Sequence, residues 1–130
     1  MTLVIDASAV ANWLMPDEST VDLKALAASH QDLSAPFLLW SEVRNALIVG
    51  ERRGRLPVGA TDRMLARLDQ LNLTLDITPS SPNVLAIARK HNLTVYDALY
   101  LDLALRKSAA LASLDAALLR AAQAEGVALA

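Results

Sequence analysis

Leu3-Val4-Ile5-Asp6-Ala7-Ser8 is the stretch that decides how this chain is read. Consecutive aliphatic residues predict a short strand buried on both faces, and the small residues after them suit a turn into a helix. An aspartate at the tip of such a strand adds nothing to a core, where an uncompensated carboxylate is costly. Asp6 therefore points to chemistry rather than packing.

Working outward, the chain alternates strand and helix signals. A helix over 9–14 stops before Pro16, which has no backbone N–H and disfavours helical geometry at Met15. Ser19 is expected to cap a helix running to 29, and 32–35 forms a weak strand ended by Pro36. The next helix spans 38–53, with Gly54 as its stop. On it Glu42 shares the apolar stripe of Leu38, Leu39, Val43, Ala46, Val49 and Gly50, and Asn45 faces the same way. Pro57 opens a helix over 58–70, after which 71–77 alternates apolar and polar residues, as a strand with one wet face does. Pro79 and Pro82 end it, and a helix over 84–90 closes at His91-Asn92. Thr94 caps a helix to 107 on which Asp97 points inward and Asp102 outward, where it pairs with Arg106. The run 109–114 reads as a buried parallel strand ending on Asp115, which caps a helix over 116–124. Gly126 ends that helix, and 127–130 is a last strand. The expected architecture is a three-layer α/β/α fold with a central, mostly parallel sheet, and residues 1–130 form a single domain.

Composition narrows the function. Of the 130 residues 54% are hydrophobic but only 4% aromatic, so the core is aliphatic. No apolar run approaches the ~18 residues of a membrane span, no basic leader precedes the first strand, and there is no cysteine for a disulfide or a zinc-thiolate site. A soluble, cytoplasmic protein is expected. A net charge of −2 excludes holding nucleic acid by an overall positive field. The one arginine cluster, Arg44, Arg52, Arg53 and Arg55, leaves room for a local patch. No glycine-rich phosphate loop is present, and His30 and His91 fall at helix ends, where exposure is the ordinary state.

Functional groups of parallel α/β sheets collect at the carboxyl ends of the strands. Asp6 and Asp115 end strands, while Glu42 and Asp97 start helices at that same edge. Four carboxylates meeting there repel: two ~5 Å apart at an effective dielectric of ~20 cost about 3 kcal/mol. A divalent cation removes the cost, and all-oxygen ligands favour Mg²⁺ or Mn²⁺. An aspartate-based phosphatase would also use Asp6, but lacks its second aspartate and a strand-end lysine here.

Val4-Ile5-Asp6-Ala7-Ser8, Ser41-Glu42-Val43-Arg44-Asn45-Ala46-Leu47, Tyr96-Asp97-Ala98-Leu99-Tyr100-Leu101 and Leu114-Asp115-Ala116-Ala117-Leu118 resemble, in order and spacing, the signature segments of PIN-domain ribonucleases. Among these, the chain is most similar to the VapC-type toxins of toxin–antitoxin pairs. The resemblance implies a Mg²⁺- or Mn²⁺-dependent endoribonuclease in which Asp6, Glu42, Asp97 and Asp115 hold the metal and orient water for in-line attack on RNA, with tRNA a frequent target. Ser8 and Ser113 are implied as supporting polar groups and Asn45 as a hydrogen-bond partner of a site carboxylate. Arg44, Arg52, Arg53 and Arg55 become candidates for RNA phosphates. A cognate VapB-type antitoxin and a homodimer are also implied, with Trp13, Met15, Trp40 and Ile48 as candidate contacts. The other reading of the same segments is a non-catalytic PIN-like binding module.

Overall fold

The computed structural model describes residues 1–17 and 20–130. In chain order the elements are β1 (Thr2–Ile5), α1 (Ala7–Leu14), α2 (Leu23–Ala28), β2 (Asp32–Pro36), α3 (Leu38–Arg52), α4 (Ala60–Asp69), β3 (Thr74–Asp76), α5 (Ser81–His91), α6 (Val95–Arg106), β4 (Ala110–Ala112) and α7 (Ala116–Ala124). The four strands are parallel and ordered β3-β2-β1-β4, with Leu3 opposite Leu33 and Ala110, and Ser34 opposite Thr74. Helices cover both faces, giving the expected three-layer α/β/α arrangement.

Burial follows the sequence pattern closely in the middle of the sheet. Leu3, Val4 and Ile5 of β1 and Leu111 of β4 are wholly buried, and each such side chain contributes about 1.5–3 kcal/mol through removal from water. α6 packs on β1, β2 and β4 as well as on α5 and α7. On the other side α3 meets α1, and Gly50 allows close approach: a Cβ there would stand 3.2 Å from Leu56 and 3.3 Å from Met15.

Several expectations are corrected at the ends of elements. The strand over 71–77 shrinks to Thr74–Asp76. Its polar face is wet as expected at Asn72 and Thr74, but Asp76 is part-buried by its 2.6 Å ion pair with Arg106 of α6, and Ile77, beyond the last pairing, is exposed. The strand over 109–114 shrinks to Ala110–Ala112, so Asp115 lies three residues past it rather than ending it. Residues 127–130 make only one bridge, Leu111 to Leu129. Pro82 does not merely break the chain: it sits in the first turn of α5, where a missing N–H costs nothing. α4 begins at Ala60, not 58, because Gly59 precedes it at φ 79°, a left-handed conformation suited to glycine. The cap expected at Ser19 falls outside the described residues, and α2 is capped by Asp22 through the Ala25 N–H. Asp102 is the largest correction. The helical angle from Asp97 is right, but α6 is packed on nearly every side, so pointing away from Asp97 still means burial, at 1% exposure. Its expected partner Arg106 stays at the surface and reaches in to it, with Nε donating to Oδ2 at 2.8 Å.

Candidate metal centre

Asp6 leaves β1 with its backbone N–H still bonded to the Ala112 carbonyl of β4 at 3.1 Å, then caps α1. Its Oδ1 accepts from the Ala9 N–H at 3.0 Å and from the Ser8 hydroxyl at 2.7 Å, while Oδ2 accepts from the Ser113 hydroxyl. Both serines pass the constraint on: Ser8 Oγ accepts from the Leu114 N–H at 2.9 Å, and Ser113 Oγ from the Asp115 N–H at 3.0 Å. The loops after β1 and β4 are thus knitted together through Asp6. Asp115 in turn caps α7, Oδ1 accepting from the Leu118 N–H at 2.9 Å.

Glu42 arrives from the other side of the sheet. It lies early in α3, half-buried beside the stripe of Leu39, Val43, Leu47 and Gly50, and its Oε1 accepts a 2.6 Å hydrogen bond from the Tyr100 hydroxyl of α6. Asp97, also half-buried, stands in the first turn of α6, its N–H capped by Thr94 Oγ1 at 3.1 Å.

The charges of these side chains act on one another. Burial, and then the Asp115 charge, push the Asp6 carboxyl above the usual carboxylate range against the pull of its hydrogen bonds from Ser113, Ala9 and Ser8. Burial also raises Glu42, helped by the charges of Asp6 and Asp97 and opposed by Tyr100. Asp97 rises through burial and the charges of Asp115 and Asp6. No Lys or Arg forms an ion pair with any of the four among the described residues. Equally, no three acidic, His or Cys side chains among the described residues stand close enough, as placed, to hold a metal ion together. The four acids form an open set whose charges act on one another across one region. Its donors are all oxygens, the set that suits a hard divalent cation such as Mg²⁺ or Mn²⁺ and not zinc-thiolate chemistry.

This cluster gives the metal-free protein an unusual pH response. Acids raised on folding stabilise the fold below their unfolded values and lose that contribution as pH rises through their folded values. Asp76 and Glu125, lowered by Arg106 and by Lys90 with His91, act in the opposite sense and lose theirs as pH falls. Stability without divalent ions is expected to rise as pH is lowered from 7 into the range just above the ordinary carboxylate values, then to fall at lower pH. Melting curves in a chelator across pH 4–8 check this. A monotonic decline from neutrality would contradict it.

Other sequence candidates are placed elsewhere. Asn45 is exposed and forms no side-chain hydrogen bond to a site carboxylate among the described residues, because three residues along α3 carries it past the stripe edge where Glu42 sits. The arginines are spread along α3 and just beyond its end. Arg44 donates to the Trp40 carbonyl at 3.1 Å and lies 4.1 Å above its ring, and Arg55 pairs with Asp17 at 3.1 Å. Arg52 and Arg53 are exposed at the far end of α3, about 15 Å along the axis from Glu42. Met15 is buried and Trp13 half-buried under the Arg67 guanidinium, whereas Trp40 and Ile48 are exposed. His30 and His91 are half-buried rather than exposed, held by the Leu26 carbonyl and Glu125. Tyr100 was not anticipated as part of the site. The signal was present: it follows Asp97 by three residues on one helix face, and a buried phenol needs a partner.

With this geometry in hand, comparison with known proteins is informative. The family model for the PIN domain matches residues 3–124. Ribonuclease VapC3 of Pyrobaculum aerophilum is 34% identical over 118 residues, which span 88% of this chain and 90% of that protein. The crystal structure of PAE2754 from Pyrobaculum aerophilum matches with a TM-score of 0.74 at 26% sequence identity, covering 93% of this chain and 87% of the other.

Proposed function

The chain belongs to the PIN-domain family, and on that premise we propose that it is a metal-dependent endoribonuclease, the toxin of a toxin–antitoxin pair. The observation that carries this is the cluster itself: three carboxyls held above their ordinary range by burial and by each other's charges, with no basic counter-ion among the described residues. Asp6, Glu42, Asp97 and Asp115 would hold Mg²⁺ or Mn²⁺. A divalent ion supplies Lewis acidity there, polarising a phosphate oxygen and favouring deprotonation of water.

The chain's own residues do the rest. A carboxylate offers about four lone-pair positions, and Ser8, Ala9 and Ser113 fill three of those on Asp6. What remains is one direction on Oδ2, which supports a role for Asp6 as a ligand more than as a nucleophile and disfavours the phosphatase reading. Ser8 and Ser113 orient Asp6 and tie it to Asp115. Asp97 and Asp115 supply acceptors toward the same region for the proton of an attacking water.

We read residues 1–130 as a single PIN domain, cytoplasmic, with no membrane role; no helix among the described residues is long and apolar enough to cross a membrane. A VapB-type antitoxin is the proposed partner of the exposed Trp40, whose ring, with Arg44 stacked on it, borders a cavity of about 380 Å³ lined by Leu39, Leu68, Leu73 and Leu75. A homodimer and an RNA substrate such as tRNA complete the reading, which rests for those points on the family. The test is direct. Purified protein freed of any antitoxin should cut RNA when Mg²⁺ or Mn²⁺ is added and stop in excess chelator. Folded protein that never cuts RNA under any of these conditions would favour the non-catalytic binding module.

A further inference from the structure

We propose that Tyr100 is the positioning residue of this centre, its buried hydroxyl fixing Glu42 Oε1 so that Oε2 is the oxygen left for a cation. This rests on the metal-centre reading above and adds to it a residue outside the acidic set.

The geometry is specific. Tyr100 is 1% exposed, and its hydroxyl reaches 58 residues back along the chain to Glu42 at 2.6 Å. That distance is typical of a phenol donating to a charged carboxylate. Asp6 and the Ala7 backbone also lie within electrostatic reach of the hydroxyl. Tyr100 therefore links α3 to α6, whose first turn carries Asp97, within reach of the Asp6 charge. Glu42 alone is badly anchored: no ion pair and no other side-chain hydrogen bond holds it among the described residues, and a glutamate free to turn about its side-chain bonds disperses its oxygens over many positions. The phenol removes that freedom. Mg²⁺ demands near-ideal octahedral geometry, whereas Ca²⁺ accepts six to eight oxygens in flexible arrangements. Loss of a positioning bond should therefore hurt Mg²⁺ more than Ca²⁺.

The experiment is Tyr100→Phe, which keeps the ring and its packing, with Mg²⁺ and Ca²⁺ affinities measured by calorimetry on metal-free protein. A charged hydrogen bond of about 1.5 kcal/mol corresponds to roughly a tenfold loss in Mg²⁺ affinity. Ca²⁺ should weaken by no more than about threefold. In a Glu42→Gln background the same substitution should leave Mg²⁺ affinity unchanged. Unchanged Mg²⁺ affinity in the single variant, or equal losses with and without Glu42, would overturn the proposal and leave Tyr100 a packing residue. A second measurement avoids any loss of fold. Tyr96 and Tyr100 are the only tyrosines, so Tyr96→Phe protein labelled with 3-fluorotyrosine carries one ¹⁹F reporter. Its resonance should move on Mg²⁺ addition with the midpoint seen by calorimetry, and a resonance indifferent to bound Mg²⁺ would count against the proposal. Wild-type protein that binds no Mg²⁺ at all would remove the metal-centre reading and this inference with it.

Discussion

Asp6→Asn is expected to lower metal-dependent RNA cleavage by about 10³-fold, the upper end for losing one charge-stabilising group, while the metal-free protein melts a few degrees higher. The two effects have opposite signs because Asp6 is a functional group held against its own electrostatics. Asparagine matches its shape. Its oxygen keeps the bonds from Ser8 and the Ala9 N–H, and its amide can donate to the Ser113 hydroxyl, whose second lone pair is free beside the bond from the Asp115 N–H. Lost is the charge, which at 4% exposure is penalised by burial and by Asp115. Cleavage assays at saturating Mg²⁺ and melting curves in chelator measure the two arms. A variant that cleaves normally would remove Asp6 from the centre. One that is inactive but also markedly less stable would make it a structural cap.

The second large effect concerns the fold. Arg106→Ala should destabilise the protein by about 3–5 kcal/mol, the cost of leaving a buried charge unpaired. The charge in question is Asp102, 1% exposed, whose other hydrogen bond, from the Ser80 N–H at 3.5 Å, is long. Arg106 also holds Asp76 at the end of β3 through two bonds of 2.6 and 3.3 Å, so its loss frees the edge strand as well. Urea unfolding of the variant measures the cost. Adding Asp102→Leu should recover a large part of it, because removing both members of a buried pair is far cheaper than removing one. A loss under about 1 kcal/mol, or no recovery in the double variant, would show that the network contributes little. Because the pair lies away from the acids, Mg²⁺ binding by the folded variant should be unchanged.

These two predictions draw on opposite ends of what sequence alone reveals. Asp6 was legible because its oddity is local: an acid after an aliphatic run, followed by small residues that start a helix. The caps at Thr94 and Asp115 were legible for the same reason, each being decided within four residues. Parallel topology then carried Asp6, Glu42, Asp97 and Asp115 to one edge without any side-chain detail. Asp102 was misread because its surroundings are not set by α6 but by the five elements packed around that helix. The helical spacing from Asp97 puts Tyr100 on the site's side of α6, but its partner Glu42 lies 58 residues away and is not legible from that spacing. The pairing of Arg55 with Asp17 was illegible for the same reason, its partner lying 38 residues away.

One measurement bears most directly on the carboxylate cluster as a metal centre. Calorimetric titration of Mg²⁺ into metal-free wild type and Asp6→Asn should give saturable binding at millimolar or lower concentrations in the first and clearly weaker binding in the second. Thermal melts should follow, with stabilisation approaching about 2.7 kcal/mol when Mg²⁺ reaches a hundred times its dissociation constant. Wild-type protein that binds neither Mg²⁺ nor Mn²⁺ in that range, or an Asp6→Asn variant that binds as tightly as wild type, would contradict the assignment.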